Sequence, residues 1–258
     1  LVQTESQEIF LKLENLQHTH SFKVRGAFSR MLALKQTNDR REILTVSAGN
    51  HGQAVARAAS ILNFSCTVVV PQTAPKAKID AIRRYGINLI IKGANYDEAE
   101  VYTLSLAEDQ ERWVFVSPYN DRDVILGQGT IALELIEQQP DLTQVIVPIG
   151  GGGLVAGIGA AMKQLSPAVS VIGVQAEASA AIYHSIKEGK LVTITDRPTI
   201  ADGIQGNVAS NSMTFEIIQK YVDEVLTVTE DEIISLIDAK DFDDVITFSK
   251  SLGKILVL

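Results

Sequence analysis

The sequence has 258 residues, of which 46% are hydrophobic, and it carries a formal charge of −8 with an isoelectric point near 5.1. A chain of this length buries roughly 70 to 75% of the surface that it exposes when unfolded, so we expect a globular protein. The acidic charge argues against a nucleic-acid partner, and no run approaches the ~20 apolar residues that a membrane helix needs.

The single cysteine excludes an intrachain disulfide and leaves a cysteine-based zinc site short of ligands. Cys66 lies in the apolar run Cys66–Val70, which predicts a buried thiol. The first residues, Leu1–Glu5, do not form a signal peptide, so we expect a cytoplasmic protein. Leu1 is not a natural initiator, which indicates a processed or excerpted chain.

Short apolar runs alternate with amphipathic stretches along the whole chain. The predicted strands are Ile9–Leu13, Ile43–Val46, Cys66–Val70, Leu89–Ile91, Trp113–Val116, Gln144–Ile149, Ser170–Gln175 and Val225–Val228. The predicted helices are Gln53–Leu62, Lys78–Tyr85, Tyr96–Glu111, Thr130–Gln138 and Leu154–Leu165. Tyr85-Gly86 is a helix stop, and Thr229–Glu232 is a capping box that opens a last helix.

This alternation predicts an α/β protein with two lobes, each a mostly parallel twisted sheet flanked by helices. The large lobe is expected to comprise residues 1–39 and 120–258, and the small, mobile lobe residues 40–119. Parallel sheets bind ligands beyond the carboxyl ends of their strands, where loops lead into helix N-termini. The loops that follow the strands are therefore the candidate sites.

Four consecutive glycines, Gly150, Gly151, Gly152 and Gly153, lie between a predicted strand and a predicted helix. Without Cβ atoms, such a backbone can bring several N–H groups to one anion, and the helix dipole adds to the field. A phosphate is the expected ligand. A tight turn for close helix packing would need only one or two glycines.

A second loop, Ser47-Ala48-Gly49-Asn50-His51-Gly52, directly follows the strand Ile43–Val46. Its small residues, its amide and its free N–H groups suit a carboxylate or a ring oxygen, although serine and asparagine are also ordinary helix caps. A third, weaker candidate is the loop Leu126–Thr130.

Lys23 precedes the small pair Gly26-Ala27 and follows Phe22. A lysine at the start of a helix is usually solvated. Its apolar and small neighbours nevertheless favour a lysine packed against another group.

Two other functions fit parts of the sequence. Gly151–Ala156 matches the dinucleotide fingerprint G-x-G-x-x-G/A, with Glu177 near the position of a ribose-binding acid, as in a nicotinamide-dependent oxidoreductase. That alternative leaves Gly150 and the other loops without a role. A binding protein that holds some other phosphate ligand on the glycines is the non-enzyme alternative.

Five blocks together resemble the threonine dehydratase and serine racemase branch of the fold-type-II pyridoxal-phosphate enzymes, in order and in spacing to about Lys240. They are Ser21–Ala27, Ser47–Gly52, Gly127–Thr130, Gly150–Gly153 and Thr199–Gly203. The resemblance implies a lyase that converts L-threonine, or L-serine, to a 2-oxo acid and ammonia. We also expect a homo-oligomer and no membrane partner.

The resemblance implies a role for each matched residue. Lys23 would form the Schiff base with the aldehyde of pyridoxal 5'-phosphate and then act as the base, with Phe22 beside the ring. Asn50 would bond the ring hydroxyl, and the four glycines would hold the phosphate. The substrate carboxylate would lie on the loop of Ser47, Ala48, Gly49, Asn50 and His51. The racemases of this branch have a proton-delivering serine where this chain has Ala48, so we expect elimination with little racemisation.

Two departures from the family pattern limit these expectations. Members with a divalent cation have acidic residues at two positions that here are Glu177 and Tyr183, so no metal site is expected. After Lys240 the family continues through a segment that contacts the pyridine nitrogen. Here Asp241–Asp244 leads almost directly to a predicted final strand, Ser251–Leu258, so residues are expected to be missing near Lys240–Asp241.

Overall fold

The computed structural model describes residues 2–3 and 8–237. Contacts divide the chain into two compact units, one of Glu14–Gln128 and one of Leu1–Leu13 with Gly129–Leu258. These boundaries differ from those of the expected lobes, 1–39 with 120–258 and 40–119, which stay a prediction because contacts alone do not reveal which part moves.

The elements alternate between strands and helices, as the sequence predicts. The strands are Val2–Gln3 (β1), Glu8–Ile9 (β2), Glu42–Val46 (β3), Cys66–Val70 (β4), Asn88–Ile91 (β5), Trp113–Phe115 (β6), Gln144–Pro148 (β7), Ser170–Ala176 (β8) and Glu224–Val228 (β9). The helices are Lys23–Gln36 (α1), Asn50–Leu62 (α2), Lys76–Arg83 (α3), Tyr96–Ala107 (α4), Arg122–Gln138 (α5), Gly153–Leu165 (α6), Ala181–Glu188 (α7), Met213–Tyr221 (α8) and Glu230–Ile237 (α9).

The unit Glu14–Gln128 is built on a four-stranded parallel sheet in the order β5-β4-β3-β6. Successive side chains of β3 point to opposite faces. Ile43 joins the core beneath α1 and α2, whereas Leu44 joins Trp113 beneath α4. Because both faces are covered, the central strand β4 is buried at every position, which explains its continuous apolar sequence.

The second unit is built on a three-stranded parallel sheet in the order β7-β8-β9, while β1 and β2 pair separately as an antiparallel ribbon. Isoleucine and valine side chains of β7 and β8 pack together with Leu226 and Val228. The central strand β8 is buried from Val171 to Ala176. Both described parallel sheets confirm the predicted α/β class.

Two predictions about local structure are wrong. The predicted strand Ile9–Leu13 pairs only through Ile9, the last residue of β2. The predicted loop Leu126–Thr130 is helical, because α5 begins at Arg122, eight residues before the predicted start. Its glycines are packing positions: a Cβ at Gly127 would lie 2.6 Å from the Arg25 carbonyl oxygen. Glycine lowers helix propensity, so the sequence suggested a loop where close contact requires glycine.

Two smaller predictions are confirmed, the capping box and the buried thiol. The Thr229 N–H donates to the Glu232 carboxylate (2.7 Å) and the Glu232 N–H to the Thr229 hydroxyl (3.3 Å), which is the predicted capping box. Cys66 is a buried free thiol, and burial raises its pKa to about 12. No helix among residues 8–237 combines the length and apolarity needed to span a membrane. The expected final strand Ser251–Leu258 and the expected gap near Lys240–Asp241 lie outside the described residues.

Candidate functional site

Lys23 is the first residue of α1, and its side chain turns toward the end of strand β6. Its backbone N–H donates to the Ser21 hydroxyl at 3.2 Å, which fixes the start of the helix. The Nζ atom donates to the Pro118 carbonyl oxygen at 2.8 Å and lies 5.1 Å from the centre of the Phe22 ring. The packed lysine that the sequence favoured is therefore confirmed.

The Lys23 amine is electrostatically unusual. Burial lowers the pKa of Lys23 from 10.5 to about 8, because the protein interior disfavours the ammonium form. A neutral amine has a free lone pair, and near pH 8 about half of the Lys23 side chains would carry one. The amine can thus act as a nucleophile or a base in a pH range where an exposed lysine is almost fully protonated.

The second candidate loop ends in helix α2, which begins at Asn50 and therefore three residues before the predicted start. Gly49 is the helix N-cap, and its N–H donates to the Ser47 hydroxyl at 3.1 Å. A Cβ at Gly52 would collide with the Ser47 carbonyl oxygen, so this turn requires glycine. Asn50 is exposed. The free N–H groups and dipole of the first helical turn suit an anion.

The His51 ring does not lie in this turn but in the core. The side chain is 3% exposed, and Nε2 donates to the Val116 carbonyl oxygen at 3.0 Å. Burial first, and the nearby Lys23 charge second, lower the pKa of His51 to about 3, so the ring is neutral. In the neutral ring Nδ1 is an acceptor, and it has no partner within the described residues. His51 can therefore offer an anion only its backbone N–H.

The segment Val116–Pro118 brings Lys23 and His51 together. The Val116 carbonyl accepts hydrogen bonds from His51 and from the Thr45 hydroxyl (2.9 Å), while the Pro118 carbonyl, two residues on, holds Lys23. The sequence did not identify Thr45 or these two carbonyl acceptors. Ser117-Pro118 marks a loop, but a backbone carbonyl has no side-chain signal to find.

We expect acid to destabilise the protein through His51. Its pKa of about 3 in the folded chain lies below the ordinary 6.5, so its neutral ring stabilises the fold above pH 6.5. This contribution is lost as the pH falls toward 3, because the unfolded chain binds the proton first. Relative to a His51→Gln variant, the wild type should lose about 2 kcal/mol between pH 7 and pH 4.5. Urea unfolding at both pH values measures this difference.

The comparison also has an outcome that contradicts this assignment. If His51→Gln followed the wild-type pH dependence, the ring at position 51 would not be a buried neutral group.

The four glycines connect strand β7 to helix α6 in the other unit. Gly152 has φ +87°, which disfavours any residue with a Cβ, and helix α6 begins at Gly153. A Cβ at Gly152 would lie 2.7 Å from Ile218 Cδ1, and one at Gly150 would lie 3.1 Å from the Ile204 Cα atom. The loop thus needs glycine on two grounds, backbone conformation and space, and it carries the free N–H groups of a helix start.

The strand that follows the glycines supports them through Gln175, which is fully buried. Its Nε2 donates to the carbonyl oxygen of Ile149, the residue before the glycines, at 3.3 Å. Its Oε1 accepts from the Tyr183 backbone N–H at 2.8 Å. Glu177 lies 3.7 Å from the Arg197 guanidinium. Among residues 8–237 there is no cluster of three acidic, histidine or cysteine side chains placed to bind a metal.

Comparison with protein families identifies a match over most of the chain. Residues 1–239 match the family described as pyridoxal-phosphate dependent enzyme. L-threonine ammonia-lyase of Thermotoga maritima is 44% identical over 230 residues, which cover 89% of this chain and 57% of the relative. The catabolic L-threonine dehydratase TdcB of Escherichia coli is 42% identical over 226 residues, 88% of this chain and 68% of the relative. The chain thus spans less than two thirds of the Thermotoga protein.

Two solved structures are similar to this chain over most of its length. The processed form of threonine deaminase isoform 2 from Solanum lycopersicum superposes with a TM-score of 0.85 at 32% identity, over 96% of this chain and 76% of that one. Maize serine racemase superposes with a TM-score of 0.83 at 31% identity, over 90% and 70% of the two chains.

Proposed function

Because this chain belongs to the family of pyridoxal-phosphate dependent enzymes, we propose that it converts L-threonine to 2-oxobutanoate and ammonia by α,β-elimination. L-serine is the second candidate substrate. The observation that carries the proposal is the Lys23 amine, which burial keeps partly neutral and which the Pro118 carbonyl holds at 2.8 Å. The names of the relatives, threonine ammonia-lyase and threonine dehydratase, support the choice of substrate.

The residues present fit the family's cofactor, pyridoxal 5'-phosphate. An aldehyde requires a neutral amine, which Lys23 supplies, and a phosphate requires several N–H donors, which the start of α6 supplies. When bound, the cofactor ring supplies an electron sink for the charge left on the substrate. We propose that Gly150, Gly151, Gly152 and Gly153 hold the phosphate, that Asn50 bonds the ring hydroxyl and that Phe22 lies beside the ring.

Lys23 has two tasks in this proposal. Its Nζ would anchor the cofactor, and the same Nζ, once released, would take the proton from the substrate α-carbon. A lysine with an ordinary pKa near 10.4 would have far less neutral amine at neutral pH and would therefore do both much more slowly. The Pro118 carbonyl accepts one N–H of the amine, which restricts the directions in which the lone pair can point.

The substrate carboxylate is assigned to the loop of Ser47, Ala48, Gly49, Asn50 and His51. The Ser47 hydroxyl and the N–H groups of the first α2 turn are suitable donors. Since the His51 ring is occupied by Val116, only its backbone contributes. Ala48 offers no exchangeable proton to the substrate, so the loop favours elimination over racemisation.

The test uses the purified full chain loaded with pyridoxal phosphate and supplied with L-threonine. We expect equimolar 2-oxobutanoate and ammonia, because each L-threonine molecule yields one of each. The water that is lost from the β-carbon is taken up again in the hydrolysis that releases ammonia. With L-serine, chiral chromatography should detect little D-serine. Rapid formation of D-serine without ammonia would show a racemase instead, and absence of any turnover of either amino acid would refute the proposal.

The alternatives lose their support once the family is known. The fingerprint Gly151–Ala156 needs no nicotinamide, because the family's own phosphate accounts for the glycines. A binding protein that only holds phosphate gives no role to the amine of Lys23. A homo-oligomer and a cytoplasmic location stay predictions.

A further inference from the structure

We propose that Thr214, assisted by Ser212, is a positioning residue that aims the Gly152 N–H at the phosphate. This inference rests on the proposed function, in which the four glycines bind the phosphate of the cofactor. Both residues lie at the start of helix α8, in the same unit as the glycines, and both are buried, with 0% and 5% exposure.

The direction of each hydrogen bond is fixed by counting protons. The Thr214 hydroxyl lies 2.8 Å from the Gly151 carbonyl oxygen, which can only accept, so Thr214 donates its one proton there. The hydroxyls of Ser212 and Thr214 are 2.8 Å apart. Because the Thr214 proton is already used, Ser212 must donate to Thr214. The Ser212 oxygen in turn accepts from the Thr214 N–H at 3.4 Å.

This chain of bonds determines the orientation of one peptide group. In a trans peptide, the C=O of one residue and the N–H of the next point in opposite directions within one plane. Thr214 draws the Gly151 carbonyl toward α8, so the Gly152 N–H points away from α8. Gly152 is the N-cap of α6, where the N–H groups lack partners inside the helix. The orphan donor is thereby held ready for an anion.

Helix α8 also restrains the loop sterically. Ile218, which is 1% exposed, would lie 2.7 Å from a Cβ at Gly152, and the Thr214 side chain would lie at 3.1 Å. The peptide group between Gly151 and Gly152 is thus held by packing against α8 and by the hydrogen bond from the Thr214 hydroxyl to its carbonyl oxygen. The hydroxyl carries no net charge, so its effect on an anion should come from orienting the amide.

We expect Thr214→Val to bind pyridoxal phosphate about three- to tenfold more weakly, the effect of one lost hydrogen bond. Binding of pyridoxal, which lacks the phosphate, should be unchanged, because the Lys23 end of the cofactor is not altered. Visible absorbance titrations of the apoprotein with the two aldehydes give the ratio of their affinities. Thr214→Ser keeps the hydroxyl and should restore most of that ratio.

The matched control is Thr103→Val, since Thr103 is equally buried and its hydroxyl also donates to a backbone carbonyl, that of Ala99, at 2.7 Å. It should leave the affinity ratio unchanged. If Thr214→Val does not fold, Ser212→Ala replaces it and should lower the ratio in the same direction. An unchanged ratio in the folded Thr214 variant, or in Ser212→Ala, would overturn the inference. A wild type that does not prefer pyridoxal phosphate over pyridoxal would instead refute the proposed phosphate site.

Discussion

Replacing Lys23 with alanine should abolish covalent cofactor attachment and reduce turnover by at least about 10³-fold, since both the anchor and the base are lost. After borohydride reduction, the cofactor label should be found on the wild-type peptide that contains Lys23 and be missing from the variant. Release of 2-oxobutanoate from L-threonine measures the turnover. The cause of the loss would be the amine, because the Pro118 carbonyl and Phe22 remain.

Lys163 is the matched control for this experiment. Its Nζ also donates to a backbone carbonyl, that of Val169, at 2.8 Å, but it is ion-paired with Asp223. Lys163→Ala should keep both the covalent label and the turnover. Retention of bound cofactor absorbance together with turnover in Lys23→Ala would contradict the proposal, as would a label on another lysine.

The same amine predicts a pH dependence. Burial lowers the pKa of Lys23 to about 8, so the wild-type apoprotein should capture the cofactor aldehyde at a rate that rises up to about pH 8 and then levels off. Below that pH the rate should fall about tenfold per unit, because only the neutral amine reacts. An acetylated lysine amide in solution provides the comparison, since its capture rate should continue to rise toward pH 10.

The sequence predicted the parallel sheets well, because their strands are buried on both faces and therefore form short apolar runs such as Cys66–Val70. It placed helix boundaries less well where glycines occur. Gly26 and Gly127 allow α1 and α5 to pack closely, and this requirement is tertiary. Local propensity gave the opposite indication, so α5 was predicted to begin at Thr130 and not at Arg122.

At the candidate site, too, only some of the residues could be predicted from the sequence. The glycines could be found because four stand in a row, and Lys23 could be found because the block Ser21–Ala27 resembles the family. The residues that support them could not be found in this way, because Thr45, Gln175 and Thr214 act through hydrogen bonds to backbone carbonyls. A buried threonine has no sequence signature that distinguishes it from any other core threonine. The buried position of the His51 ring likewise depends on Val116, sixty-five residues away.

Gly152→Ala should have the second largest effect, a loss of about 10- to 100-fold in affinity for pyridoxal phosphate, as expected for a charged hydrogen bond that is broken. The new methyl group would meet Ile218 Cδ1 at 2.7 Å and the Thr214 side chain at 3.1 Å, so the loop must move. The backbone at φ +87° adds a conformational cost of about 1 kcal/mol. Titration of the apoprotein with the cofactor measures the affinity.

Two further variants separate the steric effect from the conformational one. Gly189 has φ +68°, but a Cβ added there would have no atom within 4 Å, so Gly189→Ala should lower stability slightly and leave cofactor affinity unchanged. Adding Ile218→Val to Gly152→Ala removes Cδ1, the nearest clashing atom, and should recover part of the lost affinity. If the double variant bound the cofactor no better than Gly152→Ala, the conflict with helix α8 would not be what displaces the loop. If Gly152→Ala itself bound the cofactor normally, the amide of residue 152 would not contact the phosphate.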